Sequence, residues 1–179
     1  SAIRPLGSIF KIIPYGLAFI EGKELEDKYF DYPTCWENYC PKNFSNNYQG
    51  KITLLEAFKK SSNIVPIKIT EEFGTKSIID LANKFGLGYE QKLEDFLPIA
   101  IGSYGDSLLN ITNAYSTINN NGKFIKPNIL KSIELGNGNL LWAYKIKTKR
   151  SENIKKRVRK QQEKQKTNHK KQSEHIQKK

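Results

Sequence analysis

Residues 5–22, PLGSIFKIIPYGLAFIEG, place a lysine three positions after a serine at the head of an apolar run. From Ser8 to Ile20 the apolar residues fall on most sides of a helix, which marks a buried helix rather than a surface one. Pro14 lacks a backbone donor, so the pattern predicts one helix over about 8–20 with a kink near the proline. Residues three apart share a helix face, and Ser8 Oγ can therefore meet the Lys11 amine. A serine hydroxyl attacks only when a neighbouring base takes its proton. Lysine is such a base only where burial lowers its pKa toward working pH, and an apolar helix supplies that burial. Ser8 in the first turn would also set free N–H groups and the positive helix end beside a developing oxyanion. The pattern alone is weak, because an N-capping serine followed by a snorkelling lysine would look the same. Ser8 to Lys11 is its one occurrence in the chain.

Outward from this stretch the chain reads mostly as helices. Residues 23–51 are polar with scattered aromatics and little periodicity, and are expected to form a long loop. Thr53 with Glu56 three residues on is a capping box, and starts a short helix in TLLEAFKK. Asn63 begins a helix in NIVPIKITEEF that Gly74 closes, and Gly86 closes the next, KSIIDLANKF. After a loop over LGYEQKLEDFLPIAIGSYGD, a further helix in SLLNITNAYSTINN stops at Gly122. NILKSIEL and NLLWAY flank GNGN and predict a small hairpin.

The net charge of +12 over 179 residues points to an acidic partner until its location is considered. Residues 1–144 hold 15 basic and 15 acidic residues and are neutral. Residues 145–179 hold the other 15 basic residues with 3 acidic ones and no aromatic residue. With only Ile146, Ile154, Val158 and Ile176 to bury, this segment is expected to be disordered or a loose solvated helix. A solvated charge run is favoured over a phosphate-binding arm, since no stacking aromatics accompany it. Its residues are those of A-rich codons, a composition that also fits a frameshifted or decayed end. Cys35 and Cys40 with His169 and His175 do not make a zinc spacing, and no metal or cofactor is expected. The two cysteines fit a local disulfide and free thiols equally well. No stretch approaches the roughly 18 apolar residues of a membrane span, and no signal-peptide cleavage site follows the apolar run. The chain contains no Met and reads as part of something longer.

The segment RPLGSIFKIIPYGLAFIEGK resembles the active-site serine segment of bacterial penicillin-binding proteins, in particular the transpeptidase domain of the bifunctional, class A type. That family carries S-x-x-K, then a Ser-x-Asn element, then K-T-G. GKITLLEAFKKSSNIVPIKI resembles the second segment, with Ser61, Ser62 and Asn63 as Ser-x-Asn. Ser45 to Asn47 and Ser151 to Asn153 repeat the pattern, but only the copy at 61 has a helix on each side. The stretch from Leu97 to Leu141 resembles the region leading toward the third motif, so the likeness covers about residues 1–142 in collinear order.

The resemblance implies an α+β serine transpeptidase/β-lactamase-like fold, of which this chain holds the helical part and a small hairpin, with most of the central sheet absent. It implies a partial transpeptidase domain over residues 1–144 and a basic tail over 145–179. Implied too is a D,D-transpeptidase mechanism on peptidoglycan stem peptides, with Ser8 as nucleophile and Lys11 as its base. Ser61 would relay a proton to the departing D-alanine, and Asn63 would hold the substrate amide and orient Lys11. β-Lactams would be trapped as slow acyl-enzymes, and the full-length parent would work on the periplasmic side of the inner membrane.

K-T-G is not in the sequence, and Lys147, Thr148 and Lys149 spell K-T-K inside the charged segment. The chain alone is therefore expected to be inactive, because that motif's strand supplies an oxyanion donor worth about a hundred- to a thousandfold in rate. Two other readings stay open: one half of a split enzyme whose partner carries K-T-G, and an anionic-polymer binder acting through residues 145–179, with no specific nucleic acid expected.

Overall fold

A computed structural model describes residues 2–89, 91–138 and 140–143 of the chain. The predictions for residues 145–179 lie outside the described residues. The chain divides after Pro127 into two compact units. In the first, the order is β1 (Ile3–Pro5), a 3-10 helix (Gly7–Lys11), α1 (Ile12–Ile20), β2 (Lys28–Asp31), β3 (Gly50–Thr53), α2 (Leu54–Lys59), α3 (Ile64–Phe73), α4 (Thr75–Lys84), a second 3-10 helix (Leu97–Ile101), β4 (Gly105–Ser107) and α5 (Leu108–Asn119). The second unit contains the expected hairpin, β5 (Ser132–Glu134) antiparallel to β6 (Leu140–Ala143).

The opening apolar run is not one kinked helix. It is a 3-10 helix that changes to an α-helix at Ile12, which places Pro14 in the first turn of α1, where a backbone N–H has no intrahelical partner to lose. α1 is apolar on most sides because it divides two cores. Ile13 and Leu17, with Phe10, pack among Ile78, Leu81, Leu87, Ile99 and Ile111. Tyr15 and Ala18 face Ile52, Leu54, Ala57, Val65 and Ile69. α3 packs against α1 and the second 3-10 helix, so its Ile64, Val65, Ile67 and Ile69 are all fully buried.

The expected loop over 23–51 hides a strand. β2 pairs antiparallel with β3 in the register Lys28↔Thr53 to Asp31↔Gly50, and the chain between them is closed by a Cys35–Cys40 disulfide. The free-thiol alternative is thereby excluded. The later expected loop likewise holds the second 3-10 helix and β4, which pairs with β1 in the register Ile3↔Ser107, Arg4↔Asp106 and Pro5↔Gly105. Backbone hydrogen bonds continue this pairing into the serine segment, from Leu6 N–H to Tyr104 O (3.0 Å) and from Gly7 N–H to Gly102 O (2.9 Å).

The capping box forms as read: Thr53 Oγ1 accepts from Glu56 N–H, and the Glu56 carboxylate accepts from Thr53 N–H. α3 and α4 are followed by Gly74 and by Phe85–Gly86, and the turn after α5 reaches Gly122, as expected. No described helix is long and apolar enough to cross a membrane.

Candidate active site

Two local structures bring the site together. In a 3-10 helix residues i and i+3 eclipse, so the Gly7–Lys11 turn stacks Ser8 and Lys11 in line. Ser8 is exposed at the cavity, whereas Lys11 is 2 % exposed. The start of α1 at Ile12 moves the positive end of that helix away from Ser8, so the expectation of a helix dipole at the serine is corrected: Ser8 sits a turn ahead of it.

Across the cavity, α2 ends in a Schellman motif. Ser62 N–H donates to Ala57 O and Ser61 N–H to Phe58 O, both at 3.0 Å. The residue at the left-handed position of this motif is ordinarily glycine, yet here it is Ser61 at φ +54°. A side chain persists in such sparsely populated backbone space only where the surrounding structure holds it there. Asn63 occupies the N-cap position of α3 without capping it, contrary to the simplest reading of the sequence. That task falls to Ser62, whose Oγ accepts from Ile64 N–H (3.1 Å) and Val65 N–H (3.2 Å).

Freed from capping, Asn63 turns to the lysine. Lys11 Nζ donates to Asn63 Oδ1 (2.6 Å), Ser61 O (2.7 Å) and Ser61 Oγ (3.0 Å). Three acceptors match the three donors of an ammonium, while burial acts against the charge and lowers the Lys11 pKa to about 8. The charged form still predominates at pH 7, and the neutral amine becomes accessible close to working pH. Ser8, Ser61, Ser62 and Asn63 line one cavity of about 650 Å³, and Asp31, Asn43 and Gln49 are among the other residues of its wall. Among the described residues no hydrogen bond joins Ser8 to Lys11, so the sequence-predicted residues meet as a tight Lys11–Ser61–Asn63 cluster with Ser8 on the same cavity. Among the described residues no group of three His, Cys, Asp or Glu side chains could hold a metal ion.

The family model of the penicillin binding protein transpeptidase domain matches residues 2–178. The chain belongs to the penicillin-binding protein transpeptidase family. Penicillin-binding protein 1A of Rickettsia prowazekii is 29% identical over 147 residues, covering 79% of this chain and 18% of that protein. Among solved structures, penicillin-binding protein 1A from Haemophilus influenzae aligns with a TM-score of 0.73 at 24% identity, over 79% of this chain and 22% of that one. The PonA1 protein from Mycobacterium tuberculosis in complex with penicillin V aligns with a TM-score of 0.72 at 20% identity, over 79% of this chain and 42% of that one. These likenesses establish the serine transpeptidase/β-lactamase-like fold and agree with the class A resemblance. The chain thus spans about a fifth of the length of the curated relative.

Two residues of the cavity wall are not singled out by the sequence: Asp31, within the polar segment 23–51, and Ser62, the middle of Ser-x-Asn. The available signal for Ser62 was a serine just before an apolar helical run, which is the N-cap signature itself. For Asp31 no local signal exists, because its partners come from residues 43, 49 and 62.

Proposed function

We propose that this chain carries the nucleophilic half of a peptidoglycan D,D-transpeptidase site. Ser8 Oγ attacks the carbonyl between the two terminal D-alanines of a stem peptide as Lys11 takes its proton, and the C–N bond then breaks to leave an acyl ester on Ser8. Ser61, in contact with Lys11 Nζ, relays a proton to the departing D-alanine amine. Asn63 orients Lys11 and offers its amide to the substrate. The amine of a second strand then attacks the ester, forms the cross-link and returns Ser8 to its alcohol. A β-lactam enters the same first step, and its opened ring stays tethered in place of a leaving group. The parent protein acts on the outer side of the inner membrane.

One observation carries this reading: a lysine 2 % exposed, its pKa lowered to about 8, its amine tied to Ser61 and Asn63 in the cavity that Ser8 lines. A snorkelling lysine would keep its head in water and its ordinary pKa. The sequence supplies no K-T-G, so we propose that this chain alone acylates at least about a hundredfold more slowly than one with an intact oxyanion hole.

Fluorescent penicillin tests both statements, applied to this chain and to a chimera in which residues 145–179 give way to the remaining transpeptidase sequence of the Rickettsia relative. The chimera is expected to be labelled, Ser8→Ala to abolish the label, and the chain alone to stay dark over the same interval. Equal labelling of the Ser8→Ala chimera would remove Ser8 from the mechanism. Rapid Ser8-dependent labelling of the chain alone would overturn its proposed inactivity.

A further inference from the structure

Asp31 is fully buried on β2, and no basic side chain lies within ion-pair distance of it among the described residues. Burying a carboxylate without a counter-ion is costly unless hydrogen bonds replace the lost water. Here they do. Oδ1 accepts from Ser62 Oγ (2.8 Å) and Asn43 Nδ2 (3.0 Å), and Oδ2 accepts from Gln49 N–H (3.0 Å) and Asn43 Nδ2 (3.1 Å). Every one of these donors belongs to the wall of the candidate site.

The bonds have a direction. Asn43 Nδ2 is committed to Asp31 and to Asn47 O (2.9 Å), which fixes the amide so that its Oδ1 faces the other way. That oxygen accepts from Asn63 N–H at 2.8 Å. Asn63 Nδ2 donates to Lys42 O at 2.6 Å, which leaves Asn63 Oδ1 turned toward Lys11. On the other branch Asp31 holds Ser62, which caps α3 and follows the left-handed Ser61. Only an acceptor with no hydrogen of its own can receive from all of these donors, which a carboxylate does and a carboxamide does not.

We propose that Asp31 is the positioning residue of this site: through Asn43 it holds the backbone of Asn63, whose side-chain carbonyl meets Lys11, and through Ser62 it holds the turn that carries Ser61. Its hydrogen bonds go to Ser62, Asn43 and Gln49 rather than to Ser8 or Lys11. The inference deepens the proposed transpeptidase reading and rests on it for its meaning, but its test does not need turnover.

The test follows the Lys11 titration by NMR in the full 179-residue chain with ε-13C lysine. In Asn63→Ala, Lys11 loses one acceptor while staying buried, so its ammonium is less stabilised and the midpoint falls by about one pH unit. Asp31→Asn is expected to lower the midpoint in the same direction, and the double variant to fall at least as far as Asn63→Ala but short of the sum of the two single shifts, because the Asn63 branch is shared and the Ser62–Ser61 branch is not. A purely structural aspartate would leave the Lys11 midpoint where it is. An unchanged midpoint in Asp31→Asn, or shifts that add in the double variant, would overturn the proposal. Should Asp31→Asn fail to fold, Asn43→Ala cuts the same relay one step later while leaving Asp31 its bonds to Ser62 and Gln49. It is held to the same two outcomes. If Ser8 is never acylated while these midpoints behave as expected, the enzymatic reading fails and the positioning role stands.

Discussion

Alanine at position 102 is expected to destabilise the first unit by at least about 3 kcal/mol and to pull Ser8 out of line with Lys11. Gly102 follows the second 3-10 helix at φ +76°, and a Cβ there would lie 2.1 Å from Gly7 O and 2.6 Å from Gly7 N. Both atoms are backbone, so no side chain can swing aside. The obstructed residue is the first of the turn that bears Ser8 and Lys11, and it is held by the Gly7 N–H to Gly102 O bond. Gly122→Ala is the matched control: its φ is +73°, yet nothing lies within 4 Å of the added Cβ. That substitution should cost only the left-handed backbone penalty, about 1–2 kcal/mol. Urea unfolding of both variants separates strain from collision. Equal losses would mean that Gly102 matters for its dihedral angle and not for the approach of the two segments.

Phe10→Ala is expected to cost about 3–5 kcal/mol, a large share of what a unit of this size possesses. Its ring is fully buried between Ser8 and Lys11 in sequence, and it meets Tyr104 edge-on with centroids 5.4 Å apart at 81°. The same contact ties the serine turn to the strand side of the core, so the loss should appear in the site as well as in the unfolding curve. Ile9→Ala, one residue earlier and 46 % exposed, should change stability by no more than about 0.5 kcal/mol. A Phe10→Ala variant that unfolds at the wild-type urea concentration would show that the turn is held elsewhere.

These two residues illustrate how far the sequence could be read. The starts and stops of the helices after the first were legible because they are local: Thr53 and Glu56 cap each other across three residues, and Gly74, Gly86 and Gly122 end the helical patterns before them. Serine and lysine three apart, and the paired Ser61 and Asn63, were legible as motifs. What was not legible depends on distant partners. Gly7 adopts its turn because Gly102 comes within bonding distance, which nothing in residues 5–22 records. β2 is four residues long with one buried position, and its partner begins at Gly50, so neither strand announces itself by alternation. Asp31 acquires its role only when β2 and β3 pair and bring Gln49, Asn43 and Ser62 around it. The cysteines could be paired only once folding set their Cα atoms 4.2 Å apart.

The proposed transfer of the Ser8 proton to buried Lys11 sets the pH dependence of acylation, which measures it directly. In the completed chimera, penicillin should attach at Ser8, located by peptide mass spectrometry. Lysine accepts a proton only as the neutral amine, and with a pKa of about 8 the charged form dominates below that pH. The acylation rate should therefore climb about tenfold per pH unit below 8 and level off above it, and Lys11→Gln should abolish the climb. An adduct on another residue, or a rate that stays flat from pH 6 to 9, would contradict the account.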